Sequence, residues 1–394
     1  MSQLPKRAIN TVKGEDMSLA TTTSRSAWRR IIDTPIINAL AAPHGIGRYL
    51  EVINPMWSLD KSRIPARISA ITAETDDSVS IELSPNGEWT HFLPGQFVQV
   101  FIEIDGRQHS RSYSLSNSAY SRKPRITVKA HDDGFVSKYI NSHLKVGDRI
   151  SLSPALGEFV LPQQIPSALL FIAAGSGITP MMAMLETLLE HHHSGAITLL
   201  YYSRNNARCI FRRRLEDLAK KHTNFSLFLV YSTISTPQTL RGHFSQSHLL
   251  SAINSENGLA EHTGAITLPL TYVCGPEALI DKVSAEYELL GHSDKLRSER
   301  FKAPTSQARG EASGSIAFKQ SQHIIDNDGR ALLDQAEEAG LNLQSGCRMG
   351  ICHTCTCLKI RGTVRNISTG ELSHGEEHIR LCVSQALGDV VLSI

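Results

Sequence analysis

The spacing of hydrophobic and polar positions divides the chain into segments with different periods. Residues 1–62 begin polar and then place Trp28 and several isoleucines among arginines, which predicts one or two short helices interrupted at Pro35. Residues 63–162 hold short β-rich runs between turn residues: ARISAI, SVSIEL, FVQVFIEI, SYSLS, ITVKA and RISLS. Runs of this length and spacing predict a small antiparallel barrel, with one amphipathic helix at Val136–Leu144.

From residue 163 to 301 the pattern becomes strand, loop and helix in repetition. Four apolar runs, ALLFIAA, AITLLYY, SLFLVYS and TYVC, alternate with helical stretches that begin near Met181, Phe211 and Pro276. This alternation predicts an α/β domain with a parallel sheet covered by helices on both faces.

The last part of the chain consists of a predicted linker and a small module. Residues 302–315, KAPTSQARGEASGS, have no apolar period and predict a flexible tether that spans roughly 20 Å as a coil. The module at 316–394 is small enough to gain stability from a bound metal group.

Composition narrows the class of protein. The 40 basic and 38 acidic residues leave a net charge of +2, which argues against nucleic acid as a partner. Four of the seven cysteines lie between 347 and 357, a pattern that suits metal ligands in a reducing compartment better than disulfides. The first residues have no apolar core like that of a signal peptide, and no run of about 20 apolar residues follows, so we predict a cytoplasmic protein.

The cysteines form the strongest motif. Cys347, Cys352 and Cys355 have the spacing C-x4-C-x2-C, and Cys382 follows; this is the plant-type pattern for four thiolates that hold a 2Fe-2S cluster. Tetrahedral zinc is the alternative, but zinc modules usually carry two C-x2-C pairs. By its spacing, Cys357 is the spare cysteine at the start of the next strand.

Two segments of the barrel region together suit a flavin. Arg111-Ser112-Tyr113-Ser114 supplies a cation, an aromatic ring and a hydroxyl, and Gly134-Phe135-Val136-Ser137 opens a helix whose N-terminus can accept a pyrophosphate. Each string alone is consistent with an ordinary strand or helix, so the prediction depends on their combination and order.

Two further motifs lie at strand ends of the α/β region. Gly175-Ser176-Gly177-Ile178-Thr179-Pro180 follows a strand and precedes a helix, where backbone N–H groups can approach a pyrophosphate. Cys274-Gly275-Pro276 ends a later strand, where ligands gather in open α/β sheets. A tight turn and a buried structural cysteine are the alternative interpretations of these two motifs.

In this order the motifs resemble those of the ferredoxin–NADP reductase superfamily in its form fused to a C-terminal ferredoxin. The likeness covers about residues 63–394. It implies an FAD-binding barrel (63–162), an NAD(P)-binding α/β domain (163–301), a linker (302–315) and a 2Fe-2S ferredoxin domain of α+β β-grasp fold (316–394), after an N-terminal extension (1–62).

The resemblance also implies roles for individual residues. Arg111 would contact the flavin phosphates, Tyr113 would stack on the isoalloxazine, and Ser114 would lie near its N5 atom, with Ser112 beside them. The remaining cofactor-binding residues implied for FAD and the pyridine nucleotide are Gly134, Val136, Ser137, Gly175, Gly177, Thr179, Gly275 and Pro276. Cys274 would stand beside the nicotinamide, and either Glu299 or Phe301 would supply the acidic or aromatic residue that the family places after the sheet.

Arginines after the second strand of the α/β sheet bear on the choice of nucleotide. Ser203 and Arg204 come first, followed by Arg208 and Arg212–Arg214. Because a guanidinium fits a 2′-phosphate and a carboxylate would repel one, we predict NADPH. A solvated basic helix face explains at least two of these arginines equally well.

The predicted electron path runs from NADPH through FAD and the 2Fe-2S cluster to an external acceptor. Tyr49-Leu50-Glu51 and Asn54–Ser58 look like the reductases of membrane-bound fatty-acid and acyl-CoA desaturases, which makes a desaturase the expected partner. The reductase of a ring-hydroxylating or other oxygenase is the alternative, and a redox sensor without turnover is a third. The arginines and isoleucines near Trp28 also fit peripheral contact with anionic lipid.

Overall fold

The structure is a computed structural model that describes most of the chain from Gly45 onward. The described residues are 45–131, 134–233, 239–253, 268–301, 313–341, 343, 345, 348, 350, 354–367 and 369–394. Three predictions fall on residues outside these ranges: the helices around Trp28, the linker over 302–312, and the cluster ligands Cys347 and Cys352.

A short helical segment precedes the first sheet. Helix α1 covers Gly45–Ile53 and is followed by a 3-10 turn at Pro55–Trp57. Asn54 caps this turn, since its Oδ1 accepts a hydrogen bond from the Met56 N–H at 3.0 Å. Tyr49, Val52, Ile53 and Trp57 are exposed, so an apolar surface lies beside the entry to the first sheet.

The first sheet contains six antiparallel strands, as the β-rich runs predict. The strands are β1 (Ile64–Thr75), β2 (Ser78–Pro85), β3 (Phe97–Ile104), β4 (Arg107–Ser114), β5 (Arg125–Lys129) and β6 (Arg149–Leu152), in the order β4-β3-β6-β1-β2-β5. A bridge between Leu115 and Ile126 connects the two ends of this order and closes the barrel. Alternate side chains of each strand, such as Val98 and Val100, fill its core, and helix α2 (Phe135–His143) adds Val136 and Ile140.

The second sheet is parallel throughout its described strands. The strands are β7 (Ala168–Ala174), β8 (Ala196–Ser203), β9 (Phe225–Tyr231), β10 (Leu240–Arg241), β11 (Leu270–Cys274) and β12 (Leu296–Glu299), in the order β10-β9-β8-β7-β11-β12. Helices α3 (Ile178–Glu190), α4 (Arg212–Lys221), α5 (Gln246–Ile253) and α6 (Glu277–Leu289) connect them. Two separate hydrophobic clusters cover its faces, which confirms the predicted α/β layering.

Helix α3 begins earlier than the sequence pattern predicts. The pattern places its start at Met181, after Pro180, whereas the helix starts at Ile178 and therefore includes the proline. Proline is tolerated here because the N–H groups of a first helical turn have no partner within the helix. The Gly175–Gly177 loop is correspondingly short, a single 3-10 turn between β7 and α3.

The third unit combines a mixed sheet with one helix. Its strands are β13 (Ser315–Phe318), β14 (His323–Asp326), β15 (Thr356–Arg361), β16 (Thr363–Asn366), β17 (Leu372–His374), β18 (Glu377–Arg380), β19 (Ser384–Ala386) and β20 (Val390–Leu392). Five of them form the sheet β14-β13-β20-β15-β18, in which β13 and β20 are parallel, and β17-β16-β19 form a second, smaller sheet. Helix α7 (Leu332–Glu338) buries Leu332, Leu333 and Ala336 in the core, as expected for a β-grasp fold.

The end of the predicted linker already belongs to this third unit. The sequence pattern assigns Ser315 to the linker, but it is the first residue of β13. Its N–H donates to Oδ1 of Asp389 at 2.8 Å, and the carbonyl of Gly314 accepts the Asn327 N–H at 3.0 Å. These bonds fix the chain from about Gly314 onward.

A buried carboxylate joins the barrel to the parallel sheet. Glu186 of α3 accepts the Ser118 N–H at 3.2 Å and forms ion pairs with Arg125 at 3.3 Å and Arg214 at 3.1 Å. Next to it, Oγ1 of Thr187 accepts the Ala119 N–H at 3.0 Å. Because unpaired buried charge is costly, these bonds hold the two units in one arrangement.

Candidate functional site

Strand β4 presents the flavin motif on two faces. Successive side chains alternate, so Arg111 and Tyr113 share one face and Ser110 and Ser112 the other. Tyr113 packs partly buried against the barrel core, and its burial raises the pKa of its phenol. Arg111 and Tyr113 are thus a cation and an aromatic ring on a common surface, as a flavin requires.

The guanidinium of Arg111 fits an anionic ligand. It is half-buried, and its Nη1 donates to the Ser110 carbonyl at 2.7 Å. Among the residues that the structure describes, no carboxylate forms an ion pair with it within 4.0 Å. Burial, followed by the nearby Arg348 guanidinium, lowers the pKa of Arg111. A phosphate would supply the missing negative charge.

The start of helix α2 leaves room for a ligand to approach its N–H groups. A Cβ on Gly134 would lie 2.2 Å from Oγ of Ser137, so only glycine fits there without a shift. The Ser137 hydroxyl donates back to the Gly134 carbonyl at 3.1 Å. The backbone N–H groups of the first turn, which include that of Val136, have no partner within the helix and suit a pyrophosphate.

The glycine loop and the C-G-P turn of the parallel sheet touch each other. Gly175 has a left-handed φ of 55°. A Cβ on Gly177 would lie 2.1 Å from the Cys274 carbonyl oxygen, so this close approach requires glycine. The Thr179 hydroxyl donates to the Ser176 carbonyl at 2.9 Å, and Thr179 itself is buried, so its side chain stabilises the loop.

Cys274 lies beside a buried acid. Strands β11 and β12 pair Cys274 with Glu299, and both side chains are buried. Burial raises the pKa of Glu299 to about 8, and its Oε2 has no hydrogen-bond partner in the described part of the chain. Burial, and secondly the neighbouring Glu299, raises the pKa of the Cys274 thiol well above its ordinary value. At neutral pH the site therefore offers an uncharged thiol and a largely protonated carboxyl.

The structure places Glu299 directly beside Cys274 in the pairing of β11 with β12. Phe301 is partly buried against the hydrophobic cluster that includes Cys274. The sequence left the two open because the residues after β11 fix no register, and the choice between them for the role that the family implies stays a prediction.

Most of the arginines after β8 already have partners. Arg208 pairs with Asp77 at 2.5 Å, Arg212 with Glu216 at 2.8 Å, and Arg214 with Glu186. Arg204 is exposed at the end of β8, and no ion pair of its side chain is found within the described residues. The neighbouring Ser203 hydroxyl donates to the Asn205 carbonyl at 3.0 Å. Arg213 on α4 is exposed as well, with no ion pair in the described residues, so the phosphate hypothesis leaves Arg204 and Arg213, of which Arg204 lies at the carboxyl end of β8.

Two of the predicted cluster ligands are brought together. Cys355 lies just before β15 and Cys382 lies in the 3-10 turn Leu381–Val383; both are buried. The Leu381 N–H donates to the Cys355 carbonyl at 3.1 Å, which places the two segments side by side. The other two ligands, Cys347 and Cys352, lie outside the described residues.

Cys357 is buried in the same hydrophobic cluster as Cys355 and Cys382. Its Sγ donates weakly to the Leu358 carbonyl at 3.4 Å. Burial raises the pKa of the Cys357 thiol despite hydrogen bonding to Ser393 near the C-terminus. A neutral thiol bonded in this way is compatible with the spare cysteine of the sequence pattern.

The cluster loop contacts the flavin strand. The Ser110 hydroxyl donates to the Ser345 carbonyl at 2.9 Å, and Nε2 of Gln99 on β3 donates to Oγ1 of Thr354 at 3.2 Å. Arg348, in a left-handed conformation, forms a bidentate pair with Glu337 at 2.5 and 2.7 Å. Sequence reasoning missed Gln99, since a contact between residues 255 positions apart leaves no local signal.

Three family models match successive parts of the chain. The oxidoreductase FAD-binding domain matches residues 67–161, the oxidoreductase NAD-binding domain 171–285, and the 2Fe-2S iron-sulfur cluster binding domain 317–387. These ranges contain the flavin, nucleotide and cysteine motifs in the order found above.

Similar proteins share this arrangement over most of their length. An NADPH oxidoreductase of Mycobacterium tuberculosis is 33% identical over 352 residues, 88% of each chain. The glycine betaine monooxygenase reductase component of Pseudomonas aeruginosa is 26% identical over 76% of this chain and 87% of its own. The solved structure of phthalate dioxygenase reductase matches 84% of this chain and 98% of its own, with a TM-score of 0.56 and 21% identity, and supports the fold.

The chain belongs to the ferredoxin–NADP reductase superfamily in its form fused to a C-terminal 2Fe-2S ferredoxin domain, and it is an NAD(P)H-dependent electron-transfer reductase that uses FAD and a 2Fe-2S cluster.

Proposed function

We propose that this reductase takes hydride from NADPH and delivers single electrons, by way of its 2Fe-2S cluster, to a membrane-bound fatty-acid or acyl-CoA desaturase. The observation that carries the order of transfer is the contact of the cluster loop with β4, the strand of the flavin motif. A bound flavin accepts two electrons together and releases them one at a time, which is the conversion that a one-electron cluster needs.

The residues of the barrel bind and orient the flavin in this proposal. Arg111 pairs with its phosphates, Tyr113 covers one face of its ring, and Ser114, buried at the end of β4, donates a hydrogen bond near the reactive nitrogen. The N–H groups at the start of α2, around Val136, hold the pyrophosphate. Ser112, which lies between Arg111 and Tyr113 on β4, stays a predicted flavin-binding residue.

The parallel sheet positions the nicotinamide. Backbone N–H groups of the Gly175–Gly177 loop approach the pyrophosphate of the nucleotide, while Gly275 and Pro276 turn the chain away from the site. Cys274 and Glu299 exclude water and leave the nicotinamide in an uncharged setting. In such a setting a transferred hydride meets no fixed charge that would oppose it.

The cluster ligands in this proposal are Cys347, Cys352, Cys355 and Cys382. The neighbouring positions of Cys355 and Cys382 support the set, and Cys357, bonded toward Ser393, is left out. We also propose the domain limits 63–162, 163–301 and 315–394, the last of which begins with β13, and a cytoplasmic location in which the thiolates stay reduced.

The N-terminal region supports a membrane-associated acceptor. The exposed side chains of Tyr49, Val52, Ile53 and Trp57 form an apolar surface next to the barrel, and arginines precede it in the sequence. None of the helices in the described part of the chain is long and apolar enough to cross a bilayer. Peripheral contact through residues 1–62 would bring the reductase to a membrane-bound partner.

An oxygenase is the second candidate acceptor, and the name of the glycine betaine monooxygenase reductase among the similar proteins favours it. Two experiments with the purified protein test the proposal. The first is an anaerobic titration with NADPH and with NADH, followed by the flavin and cluster absorbance, in which NADPH is expected to reduce both groups.

The reduced protein is then mixed with a desaturase in vesicles or with a soluble oxygenase. Faster cluster reoxidation by the desaturase supports the proposal, and faster reoxidation by the oxygenase contradicts it. Steady reduction of cytochrome c by NADPH would in addition exclude a sensor without turnover.

A further inference from the structure

Gln99 is a polar residue buried on the outer face of the barrel. Its neighbours Val98 and Val100 point into the barrel core, so the alternation of β3 directs Gln99 the other way. An outward glutamine is normally exposed, yet only 5% of Gln99 is accessible. It is covered by the cluster loop, whose Thr354 accepts a hydrogen bond from Nε2 of Gln99 at 3.2 Å.

The backbone of Gln99 is fixed on both sides. Its N–H donates to Oγ of Ser153 at 2.9 Å, and its carbonyl accepts the Ser153 N–H at 2.9 Å. The side chain therefore leaves the barrel from a rigid base, directed at the loop.

Ser112 lies directly opposite Gln99 on β4. The two residues pair in the β3–β4 register and share a face, while Arg111 and Tyr113 occupy the other face. The Ser112 hydroxyl is buried and has no hydrogen-bond partner in the described part of the chain. Side chains of directly paired strand residues are within reach of each other, so the Gln99 amide can bond either Thr354 or Ser112.

This contact lies between the two redox sites. Thr354 is next to the proposed ligand Cys355, and Gln99 pairs with Ser112, which lies between Arg111 and Tyr113 of the flavin motif. The second contact, from Ser110 to Ser345, lies on the same face two residues before Ser112. The Gln99 face of the ribbon is thus where the ferredoxin domain meets the barrel.

We propose that Gln99 is a positioning residue for electron transfer from flavin to cluster, which holds Thr354 in the closed arrangement and bonds Ser112 when the ferredoxin domain turns away. In the closed arrangement the buried Ser112 hydroxyl has no hydrogen bond in the described part of the chain, which is unfavourable. This cost lowers the stability of the closed arrangement, so the ferredoxin domain can open again. The inference rests on the proposed electron path but not on the identity of the acceptor.

The electron count requires repeated closure. Each time the ferredoxin domain closes onto the barrel, one electron passes from the flavin to the cluster. The flavin is thereby oxidised by one electron and the cluster is reduced by one electron. The reduced cluster then gives this electron to an external one-electron acceptor. Two such cycles use the electron pair of one NADPH, and one proton per NADPH is released to water.

The test compares Gln99→Leu with the matched control Gln108→Leu in the full-length, cofactor-loaded protein. Gln108 is exposed on β4, where its Oε1 accepts a hydrogen bond from Arg63, and no hydrogen bond between its side chain and the cluster loop is found among the described residues. Hydrogen–deuterium exchange of residues 97–104 and 354–361 is expected to increase in Gln99→Leu only. Stopped-flow reduction of the cluster should slow about fivefold, the value of one neutral hydrogen bond, while flavin reduction by NADPH is unchanged.

Variants of the partners separate a specific contact from a general loss of packing. Thr354→Val should reproduce the effect, Thr354→Ser should retain the wild-type exchange, and the Gln99→Leu/Thr354→Val double variant should be no slower than either single variant. Ser112→Ala should lower the exchange of 354–361, because the open arrangement loses its partner for Gln99.

Three results would each overturn the inference. They are hydrogen–deuterium exchange in Gln99→Leu equal to that of the wild type, equal slowing of flavin and cluster reduction, and increased hydrogen–deuterium exchange in Ser112→Ala. The exchange data do not depend on the acceptor, so a failed desaturase assay would leave them standing.

Discussion

At the residue scale, nucleotide preference depends on an arginine that the fold leaves available. Arg208, Arg212 and Arg214 are held in ion pairs, whereas Arg204 is exposed at the carboxyl end of β8. Arg213 is also exposed and has no ion pair in the described residues, but it lies on α4, whereas Arg204 directly follows β8, at the edge where ligands gather in an open α/β sheet.

Replacement of Arg204 by alanine is expected to raise the KM for NADPH about tenfold or more, since a charge-assisted bond to a 2′-phosphate is lost. The KM for NADH should not change, because that nucleotide has no such phosphate. Arg213→Ala, an exposed arginine on α4, is the matched control. If the ratio of kcat/KM for NADPH to that for NADH is unchanged in Arg204→Ala, this arginine does not bind the 2′-phosphate.

Glu299 makes the stability of the apo-protein depend on pH. Its pKa rises from an ordinary 4.5 to about 8 because it is buried. Between these values the unfolded chain has lost the proton while the folded protein keeps it. The contribution of this group to the free energy of unfolding is therefore most favourable below about pH 4.5, and it decreases as pH rises toward 8. The fall is on the order of 5 kcal/mol in the free energy of unfolding.

In Glu299→Gln this contribution disappears. The Tm of the apo-protein, measured by scanning fluorimetry between pH 5 and pH 9, should decline less in this variant than in the wild type. Glu288→Gln, on the exposed side of α6, should follow the wild-type curve. Parallel curves for wild type and Glu299→Gln would contradict the buried, protonated carboxyl.

At the scale of elements, the cluster loop is assembled from segments that flank two strands. Cys355 precedes β15 and Cys382 follows β18, strands that pair directly, while Gly350 approaches Val383 so closely that its Cβ would lie 2.8 Å away. The Arg380 guanidinium donates to the Gly350 carbonyl, and Arg348 binds Glu337 of α7. The fold thereby brings Gly350 and Cys355 close to the segment that carries Cys382.

The choice between the two closely spaced cysteines can be tested directly. Cys355→Ser should abolish the visible absorbance and the EPR signal of the reduced cluster, because one of four thiolates is lost. Cys357→Ser should preserve both signals, since its spacing makes it the spare cysteine and its Sγ donates to the Leu358 carbonyl. The reverse result would mean that the loop is wound differently and that Cys357 is the third ligand.

The sequence predicts most elements because their patterns are local. The strand Phe97–Ile104 is a compact β-rich run, and the glycine loop indicates the turn before α3, although the helix begins three residues earlier than Met181. Contacts between distant segments could not be predicted in this way. The pairing of Cys274 with Glu299 and the bond from Gln99 to Thr354 depend on strand register and on the placement of whole domains.

At the scale of the whole molecule, the protein must both close the cluster onto the flavin and present it to a partner. In the part of the chain that the structure describes, Gln99 and Ser110 link the barrel to the ferredoxin domain through polar side-chain contacts. Polar contacts of this kind can be broken and formed again readily. The bonds of the buried carboxylate that joins the barrel to the parallel sheet are harder to break.

Shortening the predicted linker, residues 302–315, by half should therefore slow acceptor reduction much more than flavin reduction. A shorter tether allows closure but limits how far the cluster can turn outward. Stopped-flow measurement of both steps checks this, with replacement of the same residues by an equally long Gly-Ser segment as the control. Equal slowing of the two steps would argue against a mobile cluster domain.

The buried Glu186 also determines at which junctions domains of this protein can be exchanged with those of other reductases. Its bonds to Ser118, Arg125 and Arg214 mean that barrel and sheet each carry half of one charge network. A chimera joined near residue 162 would bring together mismatched halves and leave a buried charge uncompensated. A junction in 302–312 would cut none of these bonds, so ferredoxin modules from other reductases can be exchanged there to redirect the electrons.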